Sequence, residues 1–373
     1  MLLGDLIKNA VQNIDRLKQA SEIYIYGAGI IAYGIYKALA EVYGIWPESF
    51  VVTDKDTAVK DIERIPVISA GELKPSDDKY VILISTPEVY HADIINTLRE
   101  LSIKNHICVD SETEYFIMSE YYRKTGRFPL LQDAIHNERD PAYGVQEPDV
   151  GVYMAKCHVD PPLKGNYHIP SWIRPIQAGA SLTDARISEI SDNIGENIST
   201  KNRNYSELTA TYWVWKNTDH KYKGICHYRR LLVLTDDEIK NLEASGIDAV
   251  LPLPFVCMND TSEQFLRYIS PDDYNLTMSV LKRISPEYYE AAQSIYRDKY
   301  IYNYNMLIAR KKVFDDYCSW MFPLLFEIEK ISEQNRKRND RYIGYIGEIL
   351  TSLYFLYNKN NMKIVHAMKK WLV

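Results

Sequence analysis

The six residues Tyr80–Ser85 (YVILIS) are apolar at almost every position, and this run constrains the fold more than any other feature of the chain. A strand without polar alternation has to be covered on both faces, as in a parallel sheet sandwiched between helices. Its neighbours agree. Helical spacing is predicted over 3–20, followed by a strand at Glu22–Tyr26 and a helix over about 30–43. Strands at Ser49–Thr53 and Ile65–Ile68, a helix over 88–101 after Pro87, and a strand at His106–Val109 complete the rhythm. Such alternation predicts a doubly wound, Rossmann-like α/β domain over residues 1–112. Residues 113–148 break the pattern with a Tyr-rich helical piece and a polar stretch punctuated by Pro141, Gly144 and Pro148; they are predicted as a linker. A second α/β pattern fills 149–373, with strands at Val150–Cys157, Gly224–Tyr228, Asp248–Leu253, Asn303–Arg310 and Met362–Ala367. Helices are expected there at Ser206–Lys216, 312–330 and 340–357.

Composition excludes several classes of function. The net charge of −6 argues against a nucleic-acid binder, which usually carries a basic field. Five scattered cysteines read as reduced thiols of a cytoplasmic protein, not as a disulfide framework. The first residues lack the apolar core of a signal peptide, and no apolar run is long enough to span a bilayer. No CxxC or HExxH is present, so no metal ligands are assigned.

Gly27-Ala-Gly29-Ile-Ile-Ala32 fits G-x-G-x-x-A between a strand and a helix, with Asp54 at the end of the next strand. Gly27 would permit the tight turn, Gly29 the close approach of a diphosphate, and Ala32 close helix packing. Asp54 would take a ribose hydroxyl. NAD(P) or another nucleotide is the cofactor this pattern implies; a tight turn that simply needs glycine is the other reading. The unit resembles the Rossmann-like modules found beside sugar-modifying enzymes of bacterial polysaccharide clusters, in which a working dinucleotide is not guaranteed.

In the second domain, polar groups gather where strands end. His158 follows the first strand, Gln177 lies in PIQAGASL, and Asn202 and Arg203 close the polar segment Ser191–Tyr205. Cys226-His227-Tyr228-Arg229-Arg230 ends another strand, where an α/β sheet places ligand groups. Arginine matches phosphate bidentately.

Taken in order, VYMAKCH, PIQAGASL, DNIGENIS, KNRNYSELTATYWVWKN, GICHYRR, YNMLIARKKVFDDYCSWMFPLL and RYIGYIGEIL resemble the bacterial capsule and O-antigen galactofuranosyltransferase family. The resemblance covers about 150–373. It implies a GT-A-like α/β nucleotide-sugar transferase domain and inverting transfer from UDP-galactofuranose to a glycan or undecaprenyl-linked acceptor. Such a protein would work in the cytoplasm, either free or peripherally at the inner face of the cytoplasmic membrane. His227, Tyr228, Arg229 and Arg230 match the family's HYRR motif. Leu231 and Leu232 replace its aromatic pair, and Glu348 is kept where the family reads Glu-Arg-Leu, without the arginine.

Inverting transfer needs a carboxylate to deprotonate the acceptor and positive charge to stabilise the leaving diphosphate. No Asp-x-Asp follows a strand in the second domain, so Arg229 or Arg230 is expected to supply charge; Mg²⁺ or Mn²⁺ held partly by His227 stays open as a second source. For the base the ranking is Glu348, then Asp192, then Glu207. His158, Gln177, Asn202, Arg203, His227, Tyr228, Arg229, Arg230 and Arg341 form the expected substrate-binding set. The terminal Lys369-Lys370-Trp371 is read as a disordered end or as a membrane-interface contact. The competing reading is an NAD-dependent nucleotide-sugar oxidoreductase or epimerase. Its Tyr-x-x-x-Lys pairs, Tyr33/Lys37 and Tyr212/Lys216, are poorly placed for that chemistry. The third reading is a nucleotide-sensing or assembly module, with a homo-oligomer as its setting.

Overall fold

The computed structural model describes residues 3–54, 59–135, 148–165, 167–334, 338 and 340–372. They divide into two compact units, one of residues up to 128 with 255–258, and one of 129–254 and 259–372. The five cysteines are free thiols.

In the first unit six strands form one sheet: β1 (Glu22–Tyr26), β2 (Ser49–Val52), β3 (Asp61–Ile62), β4 (Ile65–Ser69), β5 (Tyr80–Ile84) and β6 (His106–Cys108). The order is β3-β4-β2-β1-β5-β6, and all but β3 run parallel. The order reverses direction between β1 and β5, which is the switch point of a doubly wound sheet. Val81–Ile84 are buried, as an apolar strand covered on both faces requires. β3 was not expected from the sequence. It is a short hairpin partner of β4, turned by Glu63 and Arg64 at φ 50° and 71°. Glu63 then accepts hydrogen bonds from Tyr33 Oη (2.7 Å) and Tyr36 Oη (3.0 Å).

The expected domain limit at 112 and the linker from 113 need correcting. A helix runs over Ser111–Thr125, capped by Asp110, whose side chain accepts from the Thr113 amide at 2.8 Å. It packs on the helices Leu3–Gln19 and Ile30–Ala38, and Ile117, Met118, Tyr121 and Tyr122 are buried. Burial of that apolar face draws the segment into the first unit. The stretch 136–147, in the middle of the expected linker, lies outside the described residues.

The second unit holds an eight-stranded sheet: β7 (Val150–Lys156), β8 (Ile173–Gln177), β9 (Ile190–Ser191), β10 (Tyr222–His227), β11 (Arg230–Val233), β12 (Ala249–Pro252), β13 (Leu307–Arg310) and β14 (Ile364–Trp371). Its order is β11-β14-β12-β13-β10-β7-β8-β9. β13 and β11 run against the other six. The helices Leu208–Asn217 and Lys311–Ser332 pack on β10, and Tyr342–Asn358 packs on Lys311–Ser332. A buried lysine fastens this layer: Lys223 Nζ, on β10, donates to Asp315 Oδ1 at 2.8 Å.

The tail is not a disordered end. Lys369, Lys370 and Trp371 belong to β14 and pair with β11, and Trp371 is 9 % exposed. Strand pairing and aromatic burial outweigh the local Lys-Lys-Trp pattern. Among the described residues no helix is long and apolar enough to cross a membrane.

Candidate active site

β10 ends at His227, the chain turns at Tyr228 and Arg229, and β11 begins at Arg230. His227 and Arg230 are directly paired across this antiparallel turn, so their side chains leave the same face. Arg230 Nη1 lies 3.4 Å from His227 Nδ1. On its other side Arg230 pairs with Trp371. The guanidinium is held between two rings, 4.1 Å from the Trp371 centroid and 4.2 Å from that of Tyr304. Both planes hold it by cation–π attraction and restrict its rotation.

The carboxylates come from two helices. Glu207 immediately precedes the helix Leu208–Asn217, and its Oε1 lies 3.8 Å from His227 Nε2. Asn305 Nδ2 donates to that Oε1 at 2.7 Å and to the Gly344 carbonyl at 3.1 Å, while Thr351 Oγ1 donates to Asn305 Oδ1. Glu348 lies on the helix Tyr342–Asn358, two turns after Arg341 and therefore on the same side of it. Arg341 Nε donates to Ser206 Oγ at 2.9 Å. Gly347 allows this helix to seat closely: a Cβ there would stand 2.6 Å from Leu208 Cδ1. The glycine makes room for the side chains of Leu208 and Asn305.

Four non-glycine residues around this cluster have positive φ: Ser206 (51°), Tyr304 (81°), Asn305 (44°) and Arg341 (62°). Each costs on the order of 1 kcal/mol and persists only where its surroundings impose it. The strain is concentrated where side chains converge.

The electrostatics are unusual for a surface cleft. Glu348 is only half-buried as a residue, but its carboxyl group is enclosed. Burial and then the like charge of Glu207 push it up to about 8, against the pull of Arg230, the Tyr304 backbone and Arg341. Burial also lowers His227 below the usual imidazole range, despite Glu207, which keeps it neutral at pH 7. Arg230 is lowered by the same desolvation.

His227 Nε2, Tyr228 Oη, Arg229 Nε and Arg230 Nε are all buried without a hydrogen-bond partner. Buried polar atoms are rarely left so, and four in successive residues mark a place built to meet something polar. Neither Arg229 nor Arg230 has a carboxylate within ion-pair distance among the described residues. Among those residues, too, no three His, Cys, Asp or Glu side chains are grouped to hold a metal ion.

Of the residues expected from the sequence, Glu207, His227, Arg230, Arg341 and Glu348 are brought together, with Tyr228 and Arg229 in the adjoining turn. The others stand elsewhere. Asp192 is 0 % exposed and accepts from the amides of Gly179 (2.8 Å) and Ala180 (3.0 Å) and from Ser199 Oγ (2.5 Å). Its oxygens are committed to hydrogen bonds within a buried turn. Gln177 is equally buried and pins the loop at Ala185 and Ile187. Asn202 donates to the Ser206 carbonyl and to Thr209, which shapes the entry to the Glu207 helix. Arg203 is exposed on the outer side of the short helix Asn202–Tyr205. His158 lies just past β7 against Cys157, with Nδ1 3.5 Å from the sulfur.

Sequence reading missed Ser206, Tyr304, Asn305 and Trp371. The only signal was YNYN at 302–305, a polar-aromatic run just ahead of a strand. Both Tyr-x-x-x-Lys pairs are tied down, Tyr33 by Glu63 and Tyr212 by Glu196 at 2.8 Å.

In the first unit the expected glycine turn lies at the sheet's switch point. Gly27 has φ 127°, and a Cβ there would stand 2.7 Å from the Ser85 carbonyl, so the position excludes other residues. Gly29 precedes the helix at Ile30, Ala32 is fully buried, and Asp54 is exposed after β2.

The fold is that of an α/β nucleotide-sugar transferase, with a Rossmann-like unit before it. Residues 163–360, more than half of the chain, match the family described as Domain of unknown function (DUF4422), and the chain belongs to that family. It is also similar to a solved structure, the WbbM bifunctional glycosyltransferase in its apo form, at 27% identity and a TM-score of 0.51. That match covers 60% of this chain and 45% of the other, so the chain spans less than half the length of that protein. No curated protein matches the chain.

Proposed function

We propose that the chain is an inverting glycosyltransferase that moves a hexose, galactofuranose in the first instance, from a UDP-sugar to a glycan or lipid-linked acceptor of a bacterial surface polysaccharide. The observation that carries this is the juxtaposition of Arg230, whose buried Nε has no hydrogen-bond partner and which has no carboxylate within ion-pair distance, with two carboxylates, Glu207 and Glu348, and with Arg229 in the adjoining turn. The likeness to a bifunctional glycosyltransferase supports the reaction class.

In this reading ionised Glu348 takes the proton from an acceptor hydroxyl. The freed oxygen forms a bond to the anomeric carbon of the donor, on the face opposite the diphosphate. The bond from that carbon to the phosphate oxygen breaks, and its electron pair leaves with UDP. Arg229 and Arg230 stabilise the charge that appears on the diphosphate. Glu207, held by Asn305, keeps the proton affinity of Glu348 high enough for a base working near neutral pH. Neutral His227 adds a polar edge without competing for the proton.

The test is slow donor hydrolysis. The full chain is incubated with UDP-galactofuranose, UDP-galactopyranose, UDP-glucose or UDP-N-acetylglucosamine, with Mg²⁺, Mn²⁺ or EDTA, and released UDP is measured. Release from one donor that persists in EDTA is expected. No release from any donor refutes the donor reading, and release abolished by EDTA transfers the role of the arginines to a metal.

A further inference from the structure

Tyr228, in the turn between β10 and β11, is 6 % exposed, and its amide donates to the Ala155 carbonyl of β7 at 3.0 Å. Its ring packs in the apolar core of the second unit. Its hydroxyl is buried and makes no hydrogen bond among the described residues. A phenol has one proton to donate, and leaving it unpaired in the interior is costly. Burial also raises its proton affinity, so it stays a donor at neutral pH.

Two cations attend the same ring. Lys156, the last residue of β7, holds Nζ 5.5 Å from the centroid, and the Arg229 guanidinium carbon lies at 5.1 Å. The two charges are therefore no further apart than those distances together. Neither has a carboxylate within ion-pair distance among the described residues. Arg230 and Arg341 also act on the hydroxyl. Asp160, the anion that does so, has one oxygen engaged by the Cys157 amide at 2.8 Å. Like charges gathered around one ring repel each other unless an anion comes among them. β7 and β10 are neighbouring parallel strands, and the group lies at their carboxyl ends, where an α/β sheet receives ligands.

The donors here are a phenol, an ammonium and a guanidinium, and phosphate oxygens accept from all three. A lone carboxylate brings one charge and two oxygens, too little for this set. A diphosphate brings several of each. A nucleoside or a neutral sugar would leave the cations uncompensated.

We propose that Lys156, Tyr228 and Arg229 form the seat of a diphosphate, with the Tyr228 hydroxyl donating to a phosphate oxygen and the Lys156 ammonium adding charge that the arginine pair does not supply. That this diphosphate belongs to a UDP-sugar rests on the transferase reading.

Binding separates the two ideas. Titration calorimetry on the full chain in EDTA would compare inorganic pyrophosphate, UDP and uridine. Pyrophosphate and UDP are expected to bind, and uridine at least about tenfold more weakly than UDP. Tyr228→Phe removes only the hydroxyl, and Lys156→Met keeps the apolar stem. Each should weaken pyrophosphate and UDP about five- to tenfold, and change uridine less than about twofold. Lys156→Met should also flatten the salt dependence of pyrophosphate binding, and Lys156→Arg should preserve it. Unchanged melting temperatures check that both variants keep the core. Failure of pyrophosphate to bind, anion binding indifferent to either variant, or uridine weakened as much as UDP overturns the proposal. If pyrophosphate binds with these dependences while UDP binds no tighter than pyrophosphate, the donor reading falls and the anion seat stands.

Discussion

Replacing Glu348 by Gln tests the site through two quantities that move in opposite directions. With Glu348 titrating at about 8, about one molecule in ten carries the ionised base at pH 7, and about nine in ten at pH 9. The kcat/KM of the transferase should rise about tenfold over that range and level off. Glu348→Gln should lower turnover by ~10²–10⁴ at pH 9, and by about tenfold less at pH 7, where most of the parent is protonated. Stability runs the other way. The carboxyl binds its proton more tightly when folded than when unfolded, so between about pH 4.5 and 8 the native state holds more protons. Stability is therefore fully present below the unfolded pKa and falls as pH rises through the folded value. The carboxamide removes that penalty, and because one side of the residue faces the cleft the gain at pH 8 is set at about 1–3 kcal/mol. The assays are a rate–pH profile from 6 to 9.5 and urea unfolding of both proteins at pH 5 and 8. Removing the charge of Glu207 by Glu207→Gln should also shift the rate inflection to lower pH. A flat profile, or a Gln variant that is inactive but no more stable than the parent at pH 8, would refute the argument.

Three other outcomes are expected. Trp371→Ala removes one face of the Arg230 sandwich and should lower donor kcat/KM by about 3–30-fold, in line with a desolvated cation–π contact, and because the ring is buried it should also cost about 3–5 kcal/mol by denaturant titration. Asp192→Ala leaves two amides and a hydroxyl unsatisfied and should cost about 3 kcal/mol by denaturant titration; a stable but inactive variant would return Asp192 to the list of bases. Lys223→Met should destabilise less than Asp315→Ala, which strands a buried ammonium at a cost of about 3 kcal/mol or more, and the reverse order in urea would contradict the role given to the pair.

Much of the fold was legible in the linear chain, because backbone rules act locally. Apolar runs such as YVILIS have a single comfortable environment, and Gly27 occupies a turn where a Cβ would strike the Ser85 carbonyl. The HYRR segment was readable because a strand end followed by two arginines already implies a side and a charge. Segments whose role depends on distant partners were not readable. The helix Ser111–Thr125 looked like a linker until its apolar face met two other helices. Asp192 and Glu207 are both acidic residues in polar surroundings; only the hydrogen-bonded turn around one and the nearness of His227 and Glu348 to the other separate them.

The sequence by itself determined the two α/β patterns, the glycine turn, the arginine pair and the presence of Glu348, since each follows from the conformations and charges of neighbouring residues. Only the tertiary structure decided that β14 brings Trp371 over Arg230, that Asn305 fixes Glu207, and that Glu207 then raises Glu348. Those contacts join residues more than a hundred positions apart in the case of Arg230 and Trp371. Their strength comes from burial, which removes water from charges that the linear sequence presents as solvated.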